Sequence, residues 1–297
     1  MDTQNVIWIA SYPKSGNTWV HGVVRKAGQK HGFPQTDMDV YNLLRENRHP
    51  EVCSLVALPY ADKPCVVLKT HAPFKAGGNL HRFPDIGLHT AGFVYICRNP
   101  LDVLLSYINF TRIEYKFRVD DAEYRKNLFI NLLGFDREFG LEDWRRMTLE
   151  SIPQENLDRA LSVFSSNSLC IPTLAPMAGS WQENVQSWMD AKNSGTDGEF
   201  IRYEELLRDA SQFERLCKYF SFSAEDLKLA MNSIEATNSR KRQTSNEGGP
   251  SDDAIFLNRM RANYYGEHFS PSAISKFLLK HESLLRSVGY ADMLTSV

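Results

Sequence analysis

An α/β protein with a central parallel sheet is the fold this sequence predicts, and three observations carry that reading. Short apolar runs suited to buried strands occur at residues 6–10, 65–68, 93–97 and 200–203. Helical patterns rather than tight hairpin turns separate these runs, as parallel strands require. The first run ends in a loop rich in breakers, Ser11-Tyr12-Pro13-Lys14-Ser15-Gly16, and a helical pattern follows at once.

Each element has its own warrant. Val6-Ile7-Trp8-Ile9-Ala10 is uniformly apolar, the pattern of a strand covered on both faces. From Asn17 to about residue 30, Trp19, Val20, Val23, Val24 and Ala27 share one helix face. Asn99-Pro100 opens a further helix: Asn caps, Pro suits the first helical position, and Asp102 sits in the favourable first turn. The run at 200–203 leads into a helix through Cys217, and residues 271–288 carry Ile274, Phe277, Leu278, Leu284 and Leu285 at helical spacing. Residues 111–179 are mostly helical and aromatic-rich, with Tyr115, Phe117, Tyr124, Phe129, Phe135, Phe139 and Trp144. They read as a helical cap laid over the sheet, not as a second domain, so residues 1–297 are taken as one domain with helices on both faces of the sheet. Residues 238–253, with Arg240-Lys241-Arg242 and Gly248-Gly249-Pro250, read as a mobile loop.

Composition narrows the function. The 297 residues include 34 Lys+Arg and 36 Asp+Glu, a formal net charge of −2, so nucleic acid coated through bulk charge is not an expected partner. Any polyanion must be held by a few placed residues. With 42% hydrophobic and 24% charged residues the chain is that of an ordinary globular protein. Five cysteines, odd in number and without a C-x-x-C pair, fit neither a disulfide framework nor a zinc cluster and suit a reducing compartment. No run approaches the ~18 apolar residues of a membrane span, and no basic segment precedes a long apolar one. A cytoplasmic protein without a membrane partner is expected.

Strand, then Ser11-Tyr12-Pro13-Lys14-Ser15-Gly16-Asn17-Thr18-Trp19, then helix is an arrangement that cradles phosphate. Amides at the helix start point at the anion, Lys14 adds a point charge, and Ser15, Asn17 and Thr18 add side-chain donors. Gly16 permits close backbone approach. The order differs from the Walker loop G-x-x-x-x-G-K-[ST], because Lys14 precedes the only glycine. The plainer reading is a polar turn before an amphipathic helix, but Lys, Gly and hydroxyls in register favour the anion site. At the end of the second predicted strand, Leu68-Lys69-Thr70-His71-Ala72-Pro73 puts Lys69 and His71 on one side and Thr70 on the other.

These blocks resemble the sulfotransferase family. The first loop is similar to its 5′-phosphosulfate loop, near Y-P-K-[SA]-G-x-T-W, and Lys69-Thr70-His71-Ala72-Pro73 to its K-T-H-x-P. Arg98-Asn99-Pro100-Leu101-Asp102 with Ser106 resembles its 3′-phosphate motif, Gly179-Ser180-Trp181 with Val185 and Trp188 resembles its G-S-W helix, and Arg202-Tyr203-Glu204-Glu205-Leu206 resembles R-Y-E-D-L. The resemblance spans about residues 6–207 in order. It departs in the tail, where the family's R-K-G clamp is absent; Arg259 or Arg261 stands nearest, with Arg240-Lys241-Arg242 a further candidate. The dimer signature of animal cytosolic members is not evident, so no oligomeric state is inferred.

The resemblance implies a donor, 3′-phosphoadenosine 5′-phosphosulfate (PAPS), and transfer of its sulfuryl group to a hydroxyl or amine. It implies His71 as general base, Lys14 neutralising the leaving oxygen, and Lys69 contacting the transferred group. Arg98 and Ser106 are expected to read the 3′-phosphate, assisted by Arg259 or Arg261 from a segment at about 238–266 that closes the nucleotide site. Tyr203 is expected to approach adenine. Trp19 either offers adenine an aromatic face or serves as a first-turn core residue. No metal is expected, since lysines and backbone donors carry the charge. The short N-terminal block and the Trp181 helix look closer to bacterial tailoring members, which implies a small natural product as acceptor. Two rivals are a phosphate-loop kinase, which needs Mg²⁺, and a non-catalytic nucleotide-binding protein of the same fold.

Overall fold

The computed structural model describes residues 4–30, 58–60, 63–75, 88–166, 178–220, 222–243 and 262–295. By their internal contacts these fall into two units, one formed by Met1–Arg98 with Glu183–Ala236, the other by Asn99–Gln182 with Thr237–Val297.

The first unit holds a five-stranded sheet. Its strands are β1 (Gln4–Ser11), β2 (Leu58–Tyr60), β3 (Lys63–Thr70), β4 (Leu88–Cys97) and β5 (Gly198–Arg202), in the order β2-β3-β1-β4-β5. The four strands expected from the sequence are all present, and β3, β1, β4 and β5 run parallel. β1 lies centrally, which explains its unbroken apolar run: Val6, Ile7, Ile9 and Ala10 are fully buried. Trp8 keeps its indole N–H satisfied by donating to Thr90 Oγ1 at 2.9 Å. The additional strand, β2, pairs antiparallel with β3 through Leu58↔Cys65 and Tyr60↔Lys63. Three residues around Pro59 carry no periodicity to read.

Helices flank this sheet. α1 (Asn17–Lys30) follows β1 as expected. β5 ends at Arg202, and Tyr203 opens the short α5 (Tyr203–Arg208), followed by α6 (Glu214–Phe220). β5 is an edge strand, and Arg215 of α6 covers it by donating to the Phe200 carbonyl at 2.8 Å and pairing with Glu199.

The second unit is built on α2 (Pro100–Glu114), whose start is the one its sequence announces: Asn99 Oδ1 accepts from Leu101 N at 3.0 Å with Pro100 at the first position. Asp102 does more than favour the helix dipole. Fully buried, its carboxylate accepts from the amides of Asn263 (2.5 Å) and Tyr265 (3.1 Å) and so anchors the returning C-terminal segment. α3 (Gln154–Ser166) buries Leu157, Ala160, Leu161 and Phe164, the i, i+3, i+4, i+7 stripe of an amphipathic helix. Its Phe164 stacks on Phe277 of α8 (Pro271–Lys280), and His281 interrupts the helical pattern before α9 (Glu282–Ser287). The aromatic segment is helical in short pieces, including a π-helical stretch at Lys126–Leu132. Tyr115, Phe129, Phe139 and Trp144 pack against one another rather than presenting a row of rings.

One expectation needs correction. Residues 238–243 are not loop: α7 (Ala224–Gln243) runs through them. Six of its last residues, including Arg240, Lys241 and Arg242, are compatible with helix, which the reading of a charge run beside glycines overlooked.

Asp102→Ala leaves two amides of the second unit without their acceptor, each worth about 1–3 kcal/mol when buried. Thermal unfolding is expected several degrees lower, with faster amide exchange at Asn263 and Tyr265; unchanged exchange at both contradicts the anchor.

Candidate active site

β1 stands where the strand order reverses, with β3 on one flank and β4 on the other, the position at which open α/β sheets form their ligand crevice. At their carboxyl ends Ala10 pairs with Thr70 and Ser11 with Ile96. The two sequence blocks that carry charge, Lys14–Trp19 and Lys69–His71, therefore leave adjacent strand ends.

The loop is held in a costly conformation. Lys14 has φ 68° and Gly16 φ 98°. A left-handed non-glycine residue costs on the order of 1–3 kcal/mol and persists only when its surroundings enforce it. Arg98 supplies that enforcement, donating from Nη1 to the Lys14 carbonyl at 2.9 Å. Its guanidinium also lies over the Tyr203 ring, 4.9 Å from the centroid. Tyr203 in turn rests on Gly16, where a Cβ would come within 2.4 Å of ring carbon Cδ2. Gly16 is thus required by φ and by a close neighbour; the close approach visible here is to Tyr203. Trp19, nearly buried, meets Tyr203 edge-on at 6.0 Å and Phe213 at 5.6 Å.

The buried Ser15 hydroxyl and Trp19 indole N–H of this loop have no hydrogen-bond partner among the described residues. Ser15 is only 1% exposed, so its unmet hydrogen-bonding capacity is costly unless a ligand oxygen meets it. The amides of Asn17 and Thr18 open α1 ahead of Trp19 N, the first to donate to the Gly16 carbonyl, and lie at the positive end of the helix dipole. A bound oxyanion satisfies both needs. Thr18 is exposed at this helix start.

Asn17 behaves differently from the expected side-chain donor to phosphate. Both of its amide hydrogens are used inside the protein, on the carbonyls of Ile9 and Thr70 at 3.0 Å each. Its side chain sews the ends of β1 and β3 to α1, leaving only its main-chain amide for an anion.

Lys69 and His71 are half-buried while Thr70 between them is buried, as strand alternation requires. His71 Nδ1 lies 2.9 Å from the Ser11 carbonyl oxygen and 3.3 Å from Ser11 Oγ. A carbonyl only accepts, so Nδ1 carries the proton and Nε2 keeps its lone pair. Ser106 is half-buried on α2 in the second unit. Arg259 and Arg261 lie outside the described residues.

Sequence reasoning missed the side chains that hold this strand exit. Beyond Thr70 the chain is caught by one face of α4 (Trp181–Asn193). Asn184 Nδ2 donates to the His71 carbonyl (2.8 Å), Trp188 Nε1 to the Ala72 carbonyl (3.1 Å), and Ser187 Oγ accepts from Phe74 N (2.8 Å). The signal was legible: Asn184 is an amide on the same helical stripe as Trp181, Val185 and Trp188, where a polar group needs a partner. Tyr95, fully buried in β4, donates to Asn184 Oδ1 at 2.8 Å and accepts from Tyr12 N at 3.1 Å. Burial pushes the phenols of Tyr12 and Tyr95 well above their usual range, so both stay protonated.

Among the described residues no group of three or more His, Cys, Asp or Glu side chains is placed to hold a metal ion, and no helix is long and apolar enough to cross a membrane.

The family model of the sulfotransferase domain matches residues 4–279. The chain belongs to the sulfotransferase family. Among solved structures, mouse sulfotransferase SULT7A1 complexed with PAP is similar at 16% identity and TM-score 0.53, over 100% of this chain and 90% of that one. Retinol dehydratase in complex with androsterone and inactive cofactor PAP aligns at 17% identity and TM-score 0.47, over 96% of this chain and 82% of that one.

Gly16→Ala is expected to weaken binding of adenosine 3′,5′-bisphosphate and lower thermal stability. Adding Tyr203→Ala removes the clash but not the left-handed φ, so only part of the stability returns; full recovery in the double variant contradicts the backbone argument.

Proposed function

We propose that this enzyme moves the sulfuryl group of PAPS to a hydroxyl or amine of a small-molecule acceptor, a natural product, with His71 as general base. The observation that carries the reading is the bond from His71 Nδ1 to the Ser11 carbonyl, which leaves Nε2 as the basic nitrogen. The acceptor's oxygen or nitrogen attacks sulfur in line and its proton passes to Nε2. The bond from sulfur to the bridging oxygen breaks, and that oxygen leaves on the nucleotide with its electron pair. Lys14, beside the amides of the loop, offsets charge growing on the leaving oxygen, and Lys69, on the side of β3 that carries His71, contacts the transferred group.

The donor is held by the 5′ loop of Lys14, Ser15, Gly16, Asn17 and Thr18 and, at its 3′-phosphate, by Arg98, Ser106 and Arg259 or Arg261. Trp19 and Tyr203 meet the adenine. The orphaned Ser15 hydroxyl and the strained Lys14 support the first of these assignments. Arg98 holds the loop through Lys14, so its 3′-phosphate role is a second use of the same guanidinium. Five cysteines without a C-x-x-C pair support a reducing, cytoplasmic setting.

His71→Ala is expected to lose about 10²–10⁴-fold in turnover while nucleotide affinity changes little. The acceptor is sought by incubating radiolabelled PAPS with host extract and the enzyme. Near-normal product formation by the alanine variant removes His71 from its role.

A further inference from the structure

Four hydrogen bonds around the candidate base share one direction. The carbonyl of Ser11 accepts from His71 Nδ1 at 2.9 Å. The amide of that same peptide, Tyr12 N–H, donates to the Tyr95 hydroxyl at 3.1 Å. Tyr95 gives its one hydrogen to Asn184 Oδ1 at 2.8 Å. Asn184 Nδ2 then donates to the carbonyl of His71 at 2.8 Å. The path leaves residue 71 by its ring and returns by its main chain.

We propose that these bonds form a closed circuit that locks the His71 tautomer, with Tyr95 and Asn184 as positioning residues for the base. The proposal rests on the reading of His71 as the base, and it adds what decides which ring nitrogen meets the acceptor.

The direction of every link is forced. The two carbonyls only accept and the Tyr12 amide only donates. Because the Tyr95 oxygen receives the amide, its own hydrogen is left for Asn184. A flipped Asn184 amide sets its oxygen against the His71 carbonyl, two acceptors face to face, so the amide has one tolerable orientation. All members but the half-buried His71 are shielded from bulk water: Tyr95 and Asn184 are 0% exposed, Ser11 1% and Tyr12 2%. In such surroundings each bond polarises the next, and a broken link is not readily replaced by solvent. A His71 ring turned to put Nε2 on Ser11 presents Nδ1 to the acceptor instead, on the wrong side of the ring. The circuit also joins the two blocks that carry the chemistry, since Tyr12 follows the end of β1 in the phosphate loop and His71 follows the end of β3. Neighbouring bonds give a control. Ser187 and Trp188 hold Phe74 and Ala72 from the same helix but lie outside the ring.

Protein labelled with ¹⁵N-histidine, read by long-range ¹H–¹⁵N correlation with His71→Gln for assignment, tests this. In the wild type the neutral His71 ring is expected as a single tautomer protonated on Nδ1. In Tyr95→Phe and Asn184→Leu the population moves toward the Nε2-protonated form, whereas Ser187→Ala leaves it unchanged. A wild-type ring protonated on Nε2 overturns the proposal without any variant having to fold. So does a His71 signal in folded Tyr95→Phe that matches the wild type, or an equal shift in Ser187→Ala, which marks general loosening. Calorimetry with adenosine 3′,5′-bisphosphate on the same wild-type sample keeps the two readings apart: an Nδ1-protonated ring without nucleotide binding supports the circuit and contradicts the donor site.

Discussion

A single hydrogen bond, from the ring of His71 to the carbonyl of Ser11, sets the terms for the rest of this site. It forms only because β1 and β3 are parallel neighbours in register, so that Ser11 and His71 emerge side by side from the sheet. It leaves one nitrogen of the ring committed and the other basic. A sheet with any other strand between these two separates the pair by a further ~4.8 Å and loses the contact.

The anion cradle obeys a related constraint. A loop that turns its amides toward a ligand must take left-handed backbone angles, and such angles have to be enforced. Here the enforcement is a stack: Arg98 bonds the Lys14 carbonyl and covers Tyr203, and Tyr203 presses on Gly16. Residues from three separate sequence blocks thereby shape one loop. The same view explains Asn17, whose side chain is consumed in joining strand ends to the helix.

Much of this was legible in the sequence. Uniform apolar runs marked the four parallel strands because strands buried on both faces cannot alternate, and Asn99-Pro100 marked its helix because caps act locally. The blocks around Lys14 and His71 were legible as chemistry, since Lys, Gly, hydroxyl and imidazole at strand ends have few structural uses together. What escaped was long-range. β2 is too short and proline-bearing to show a period. Asn184 looked like a member of a core helix, although an amide on an apolar stripe requires a partner; that partner is 113 residues away in sequence. The aromatic segment was legible as a helical cap but not in its packing, in which Tyr115, Phe129, Phe139 and Trp144 lie against each other. Composition reports how many rings a segment has, not which way they face.

The most direct measurement is a crystal structure with adenosine 3′,5′-bisphosphate bound. The account predicts the 5′-phosphate against the Ser15 hydroxyl and the opening amides of α1, with His71 Nδ1 still on the Ser11 carbonyl and Nε2 facing the position of the departed sulfuryl group. A nucleotide bound away from this loop, or a His71 ring turned so that Nε2 sits on Ser11, contradicts it.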